Sequence, residues 1–286
     1  MTPAGGDSLW LAGAPATAYP ALEDDLAFDV AVIGGGIAGI TAALLLKRDG
    51  ARVAVLERGV ICGGASGFTT AKVSALQETK LSEIDRLHGA DGTAAYAAAS
   101  LAAVARIGEL VGEGGIDCGW QAADAYTYAA DEAQVDAVVQ EAHIALAAGL
   151  DVHLTTAVPL PFAVAQAVTL PDQGQLDPVR YVRGLAAAVD GDGSRVCEST
   201  AVVSVEEGSP CRVHTQDGAT VAARDVIVAT NYPLLDRGLF FARPPSARRT
   251  GRAQLPRRRA RARQRDRRDA HHSRSAEPLG TRSPRR

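Results

Sequence analysis

Three glycines carry the clearest chemistry in this 286-residue chain: Gly34-Gly35-Gly36-Ile37-Ala38-Gly39, spaced G-x-G-x-x-G. The spacing suits a bound pyrophosphate. The first glycine makes a tight turn, the second lets backbone approach the phosphates, and the third lets a helix pack closely on a strand. A helix starting there presents free N–H groups and the positive end of its dipole to phosphate oxygens. Alone the pattern is weak in so Ala/Gly-rich a chain; its setting is what confirms it. Residues 28–33 form an apolar run that predicts a buried parallel strand. A helix is predicted over 37–49, ended by Gly50, and a second strand over 52–57. Glu57, 21 residues after Gly36, stands where a carboxylate meets ribose hydroxyls and repels a 2′-phosphate, which argues against NADP. Strand, glycine turn, helix and strand within about 30 residues make a βαβ unit with a right-handed crossover. The alternative is a βαβ unit with a glycine turn and no nucleotide.

Two further segments belong with this unit. The loop Gly63-Gly64-Ala65-Ser66-Gly67-Phe68-Thr69-Thr70-Ala71-Lys72 follows the second strand. Its small residues let a bulky ligand lie against backbone, and Ser66, Thr69 and Thr70 offer hydroxyls; a plain surface loop is the alternative. Val226-Ile227-Val228-Ala229-Thr230 is a buried strand ending in two small residues. Lys72 is either near the ligand or an ordinary surface charge, the latter being the usual fate of a lone lysine. Trp120, Tyr126 and Tyr128 either line a substrate-facing sheet or fill a core, the core being favoured. The scattered His88, His143, His153 and His214 suggest no site. Cys62, Cys118, Cys197 and Cys211 lie far apart without zinc-ligand spacing, so neither a metal site nor a disulfide framework is expected.

The elements that must position these residues follow from periodicity. Residues 1–27 lack it and read as an N-terminal arm on the surface, with Trp10 and Tyr19 as possible pins, or as a disordered leader. A helix over 93–111 aligns Leu101, Val104, Ile107 and Val111. A strand is predicted at 125–129. Asp131 caps a helix with Val135, Val138, Ala142 and Leu146 as its buried stripe, ended by Gly149. Strands are expected at 151–155 and 163–170. Asp177-Pro178 starts a helix, with Asp177 as cap and Pro178 at the first helical position, running to about residue 189. Strands over 196–205, 211–215 and 221–230 complete the run, with Asp217-Gly218 as a hairpin turn.

The net charge of −3 hides a division. Residues 243–286 hold sixteen Arg and three acids, a net of +13, against −16 for the rest. Their only large apolar side chains are Leu255 and Leu279, too few to offset chain entropy, so a disordered basic tail is expected. Its composition, with 3 Lys against 27 Arg in the chain, fits GC-rich DNA read out of frame, and a frame shift after residue 243 is the favoured explanation. A phosphate-neutralising tail is the second, but it has no aromatic to stack on bases, so nucleic acid is not expected as a partner. A solvated tail without a role is the third.

Taken together these stretches resemble FAD-dependent amine and amino-acid oxidoreductases of the D-amino-acid oxidase/glycine oxidase type. The matching residues are DVAVIGGGIAGITAALLLKRDGARVAVLERG (29–59), the GGASGFTTAK loop, LDPVRYVRGLAAAV (176–189) and TAVVSVEE through DGATVAARDVIVAT (200–230). The resemblance spans roughly residues 28–240 and is strongest to bacterial members that continue into a C-terminal Rieske iron–sulfur domain. It implies an α/β chain: a Rossmann-like FAD-binding fold of the GR2 type with an inserted antiparallel α+β substrate domain. The FAD-binding domain would be discontinuous (28–80 plus 175–232) and the substrate domain, 81–174, incomplete. It also implies FAD as cofactor, held by Gly34, Gly36, Ile37, Ala38, Gly39, Glu57, Arg58, Ser66, Thr70, Val202, Ala229 and Thr230. Asn231 stands where the family's A-T-G usually has its last glycine, a mild departure because Asn tolerates left-handed backbone. The severe departure is that the Arg-rich tail replaces further substrate-domain strands and a last cofactor-contacting segment. No Rieske ligand pattern is present.

The implied activity is oxidation of a C–N bond in an amine or amino acid by hydride transfer to flavin N5. No catalytic residue is assigned, and the electron acceptor stays open. A truncated flavin-binding fragment without turnover and a basic-tailed nucleic-acid-binding protein on a nucleotide-fold scaffold are the alternatives. No apolar run of roughly 18 residues and no leader pattern are found, so a cytoplasmic protein without a membrane partner is expected.

Overall fold

The computed structural model describes residues 8–232; the expected basic tail lies outside them. In chain order the elements are α1 (Leu9–Gly13), β1 (Leu26–Ile33), α2 (Ile37–Arg48), β2 (Val53–Leu56), β3 (Lys72–Val73), α3 (Lys80–Gly114), β4 (Gln121–Ala129), α4 (Val135–Ala147), β5 (His153–Thr155), β6 (Gln166–Gln175), α5 (Pro178–Val189), β7 (Arg195–Cys197), β8 (Val202–Glu206), β9 (Cys211–Thr215) and β10 (Thr220–Val228).

Six strands form the first sheet, in the order β7-β2-β1-β10-β9-β8. The four strands from β7 to β10 are parallel, and β9 and β8 continue antiparallel. β2 explains its own apolar run. Val53 and Val55 face one core with α2 and α5, while Ala54 and Leu56 face the other with Val213 and Val221. A strand covered on both faces has no polar side, and each such Val or Leu contributes about 1.5–3 kcal/mol by burial. α5 lies against α2 and buries Val179, Val182, Leu185, Ala186 and Val189. Asp177 caps it, accepting from the N–H groups of Val179 (2.9 Å) and Arg180 (3.0 Å). Lys47 of α2 donates to the Ala188 and Val189 carbonyls at its other end (3.2 and 3.0 Å), where a cation also suits the dipole.

The second sheet is antiparallel. β6 is its centre, with β4 on one side and β3 and β5 on the other. The outer edge of β4 pairs with no strand among the described residues. β3 puts the start of this sheet at Lys72, before the 81 expected for the substrate domain. Two helices cover it. α4 buries Val138, Glu141, Ala142 and Ala145. Leu146, expected in that stripe, is exposed; the buried face turns so that Glu141 points inward. The fully buried Glu141 carboxylate accepts from the N–H groups of Leu81 (2.9 Å) and Ser82 (2.8 Å) and from the Ser82 hydroxyl. It thereby caps α3 from a different helix, which explains why α3 begins 13 residues before the start expected from periodicity. Gly89, at φ +70°, kinks α3.

No uninterrupted apolar run of membrane length exists, but by length and composition alone α3, with 17% of its most apolar stretch buried, is long and apolar enough to cross a membrane. Its exposed positions between 93 and 110 are Ala95, Ala98, Ala99, Ala102, Ala103, Ala105 and Glu109, so small residues supply the apolar character. The stretch 196–205, expected as one strand, is two. β7 and β8 pair at opposite ends of the strand order, and the chain leaves the extended line at Ser199, where φ is +48°. β6 likewise runs to Gln175, five residues past its expected end, through Pro171 and Gly174, which read as breakers.

Candidate nucleotide-binding site

The glycine loop sits at the carboxyl end of β1, between β2 and β10. Gly34 N–H donates to Leu56 O (2.9 Å) and Ala229 N–H to Ile33 O (2.8 Å). This stitches the first motif to the last predicted segment across 195 residues of sequence. Gly34 has φ +113°, and a Cβ there would lie 2.6 Å from Ala229 O; a Cβ on Gly39 would lie 2.0 Å from Gly34 O. Neither position admits a side chain without moving backbone. Gly36 is the N-cap of α2 and has no side chain to satisfy the helix. Ile37 and Ala38, the next two residues, are exposed. The positive end of the helix therefore opens to solvent beside a loop stripped of side chains, the arrangement a pyrophosphate needs.

Two side chains complete the cradle. Glu57, half-buried at the end of β2, accepts from Gly35 N–H (2.7 Å) and Gly59 N–H (2.8 Å). The Ser66 hydroxyl accepts from Ile37 N–H (3.0 Å), and a Cβ on Gly36 would approach it to 3.1 Å. Thr230 follows directly, its hydroxyl donating to Tyr232 O (2.6 Å). Asn231 has φ +61°, the left-handed backbone its side chain tolerates.

Gly34, Gly36, Ile37, Ala38, Gly39, Glu57, Ser66, Ala229 and Thr230 are thus gathered round one helix end. Arg58 and Thr70 are exposed on the two segments that border it. Val202 is separate: it is buried on β8, opposite Thr215, in the core behind β1 and β2. The sequence reading missed Gly35. A Cβ there would meet Ile61 Cδ1 at 2.5 Å, and its N–H anchors Glu57. The signal was the middle position of an uninterrupted glycine triplet. Cys62 lies alongside, but burial pushes its thiol up to about 12, so it is no nucleophile at neutral pH. Among the described residues no cluster of metal-ligating side chains exists.

A cleft of about 220 Å³ opens on the second sheet, lined by Lys72, Ser74, Tyr126, Tyr128, Gln173 and Gln175 among others. Lys72 joins it to the Ser66 loop, since β3 begins where that loop ends. The two tyrosines favour the sheet-face alternative. Trp120 instead packs over Gly108 and Gly174 against the first core.

A glycine cradle at a helix N-terminus, closed by a distant strand and flanked by an antiparallel sheet, defines a dinucleotide-binding α/β protein. The family model described as FAD dependent oxidoreductase matches residues 29–275, and the chain belongs to that family. It is 31% identical over 236 residues to YhfW of Bacillus subtilis (strain 168), named as a Rieske 2Fe-2S iron-sulfur protein, covering 82% of this chain and 46% of the relative. It is 27% identical over 224 residues to gamma-glutamylputrescine oxidoreductase of Escherichia coli (strain K12), covering 77% and 52%. The glycine oxidase structure from Geobacillus kaustophilus superposes with a TM-score of 0.62 at 26% identity, covering 71% of this chain and 55% of that one. The chain spans about half the length of the curated relatives it matches.

Proposed function

We propose that this chain is the flavin-binding part of an oxidoreductase acting on the C–N bond of an amine or amino acid. The observation that carries the reading is the closed cradle: three side-chain-free positions, an exposed helix N-terminus, and Ala229 over Gly34. These fit the pyrophosphate of FAD. Gly34, Gly36, Ile37, Ala38 and Gly39 would hold the phosphates through backbone. Glu57 would take the ribose hydroxyls, with Arg58 beside it. Ser66 and Thr70 would border the cofactor on the loop side, and Ala229 and Thr230 on the β10 side. Val202 would contribute backbone on the adenine side. The bound flavin supplies an electron sink for a hydride from the carbon beside nitrogen. The chain's own part is to orient that cofactor and to offer the Lys72–Tyr126 cleft as the place for a small substrate. Residues 28–80 and 175–232 would form the FAD-binding domain and 81–174 the substrate domain, which β3 extends to Lys72.

The test is FAD titration of the purified chain followed by flavin fluorescence. Saturable binding is expected, and Gly36→Asp should abolish it, because a carboxylate would face the pyrophosphate. Stoichiometric flavin on the variant would overturn the site. A second reading is a flavin-binding fragment without turnover, which the outer edge of β4 supports, since it pairs with no strand among the described residues. Flavin bleaching by added amines or amino acids supports the first reading; retention without bleaching supports the second.

A further inference from the structure

The segment before β1 grips both sides of the cradle. At one end, Ser8 caps α1, accepting from the N–H groups of Trp10 (3.2 Å) and Leu11 (3.4 Å), while its own hydroxyl donates to Gly67 O. Trp10 Nε1 donates to Thr69 O (3.0 Å). Leu11 Cγ and Cδ2 lie 3.3 Å from where a Cβ on Gly67 would be. These contacts hold the outside of the loop whose inside residue, Ser66, bonds Ile37 at the helix end. At the other end, the Glu198 carboxylate, 4% exposed, accepts from the Thr17 hydroxyl, from Tyr19 N–H (3.1 Å) and from Ile61 N–H (2.6 Å). Leu22 N–H donates to the Thr200 hydroxyl (3.0 Å), and Thr200 N–H to Glu57 O (2.8 Å). Between the two ends, Arg183 donates to Pro15 O.

A continuous path therefore runs from Ile37 through Ser66 and Gly67 to the arm, and from the arm through Glu198 and Thr200 to Glu57. Among the described residues, no hydrogen bond of the arm reaches residues 34–39. Its contacts are to backbone carbonyls of the loop that carries Ser66 and to the side chains of Glu198 and Thr200, which in turn bond Ile61 N–H and Glu57 O, so it sets where those segments sit. We propose that residues 8–22 are a strap that fixes the Ser66 loop relative to the Glu57 strand end, with Glu198 as its positioning residue, and that FAD affinity depends on it. The proposal rests on the cradle being the FAD site.

Three forms of the 286-residue protein test it: one lacking residues 1–24, Trp10→Phe, and Glu198→Gln. Each is titrated with FAD, melted without FAD, and followed by hydrogen exchange over residues 57–71. The deletion should remain folded, weaken FAD binding at least tenfold, and speed exchange over 57–71. A synthetic peptide of residues 1–24 added in trans should restore both. Trp10→Phe, which removes the indole N–H together with part of the ring, and Glu198→Gln, which leaves one of the two carboxylate oxygens as an acceptor, should each weaken binding about three- to tenfold. Truncated protein with wild-type FAD affinity overturns the strap, as does unchanged exchange over 57–71. If truncation prevents folding, the two point variants decide: unchanged affinity and exchange in both overturn it. Should the wild-type chain itself bind no FAD, the site reading fails, and the exchange measurement still decides separately whether the arm orders the two segments.

Discussion

Replacing Glu57 by Gln tests the cradle at the residue where fold and ligand chemistry meet. In the structure the two carboxylate oxygens serve different glycines, Gly35 at 2.7 Å and Gly59 at 2.8 Å. Both bonds are charge-assisted, and such bonds run shorter and about twice as strong as neutral ones. Glutamine keeps one acceptor, so one of the two N–H groups must face an amide NH₂. The loss is one charge-assisted hydrogen bond, about 1.5–3 kcal/mol. Because the bonds exist without nucleotide, part of that loss appears in the free protein, as a fall in Tm of about 2–4 °C per kcal/mol. The rest appears in FAD binding, since ribose hydroxyls would then compete for a neutral oxygen. An FAD dissociation constant raised about 10- to 150-fold corresponds to the full loss. The paired assay is a thermal melt of the FAD-free protein and a fluorescence titration with FAD, on wild type and Glu57→Gln. A variant whose melt and affinity both stay at wild-type values would refute the argument that this carboxylate organises the loop.

Other perturbations address the supporting structure. Glu141→Ala leaves Leu81 N–H, Ser82 N–H and the Ser82 hydroxyl without their buried acceptor, and should cost about 3 kcal/mol; a melt within 2 °C of wild type would contradict the cross-helix cap. Burial raises the thiols of Cys62, Cys118 and Cys197, so a thiol reagent at neutral pH should label only the half-exposed Cys211 quickly; a second fast thiol in the native protein would count against those cores. Asp29 is held below its ordinary pKa by the backbone N–H of Arg52, and also by the Arg52 charge. A carboxylate depressed in the fold stabilises it above the unfolded value, about 3.9, and that contribution is lost as pH falls through the folded value. Asp29→Asn should therefore melt lower than wild type at pH 7, with the gap closing below about pH 4; a gap independent of pH would dismiss the linkage.

Local signals reached the structure almost unaltered where physics is local. The glycine loop, α2 and its end at Gly50, the Asp177-Pro178 start of α5 and the Asp217-Gly218 turn each depend on residues within one or two turns of chain. So did the tolerance of Asn231 for left-handed backbone. What escaped the sequence was set from afar. The start of α3 is fixed by Glu141, about 60 residues away, and that same demand rotates α4 so that Leu146 faces outward. The break between β7 and β8 is dictated by the two strands having different partners, which no propensity at Ser199 records. In the candidate site, the gathering of Gly34 with Ala229 followed from the family resemblance rather than from spacing. Glu198 and Ser8 gave no signal, because an isolated acid and an isolated serine in an irregular stretch read as surface.

The seven-position parallel pairing of β1 with β10, from Leu26↔Val221 to Ile33↔Val228, also has a consequence in time. A ribosome adding about 5–20 residues per second needs about 10–40 s to pass from one strand to the other. Throughout that interval one edge of β1 waits without its neighbour, and the glycine loop waits without Ala229. Nucleotide therefore cannot assist the early part of folding, and the nascent chain must protect an apolar strand edge, the kind that recruits other chains, until translation delivers its last described strand.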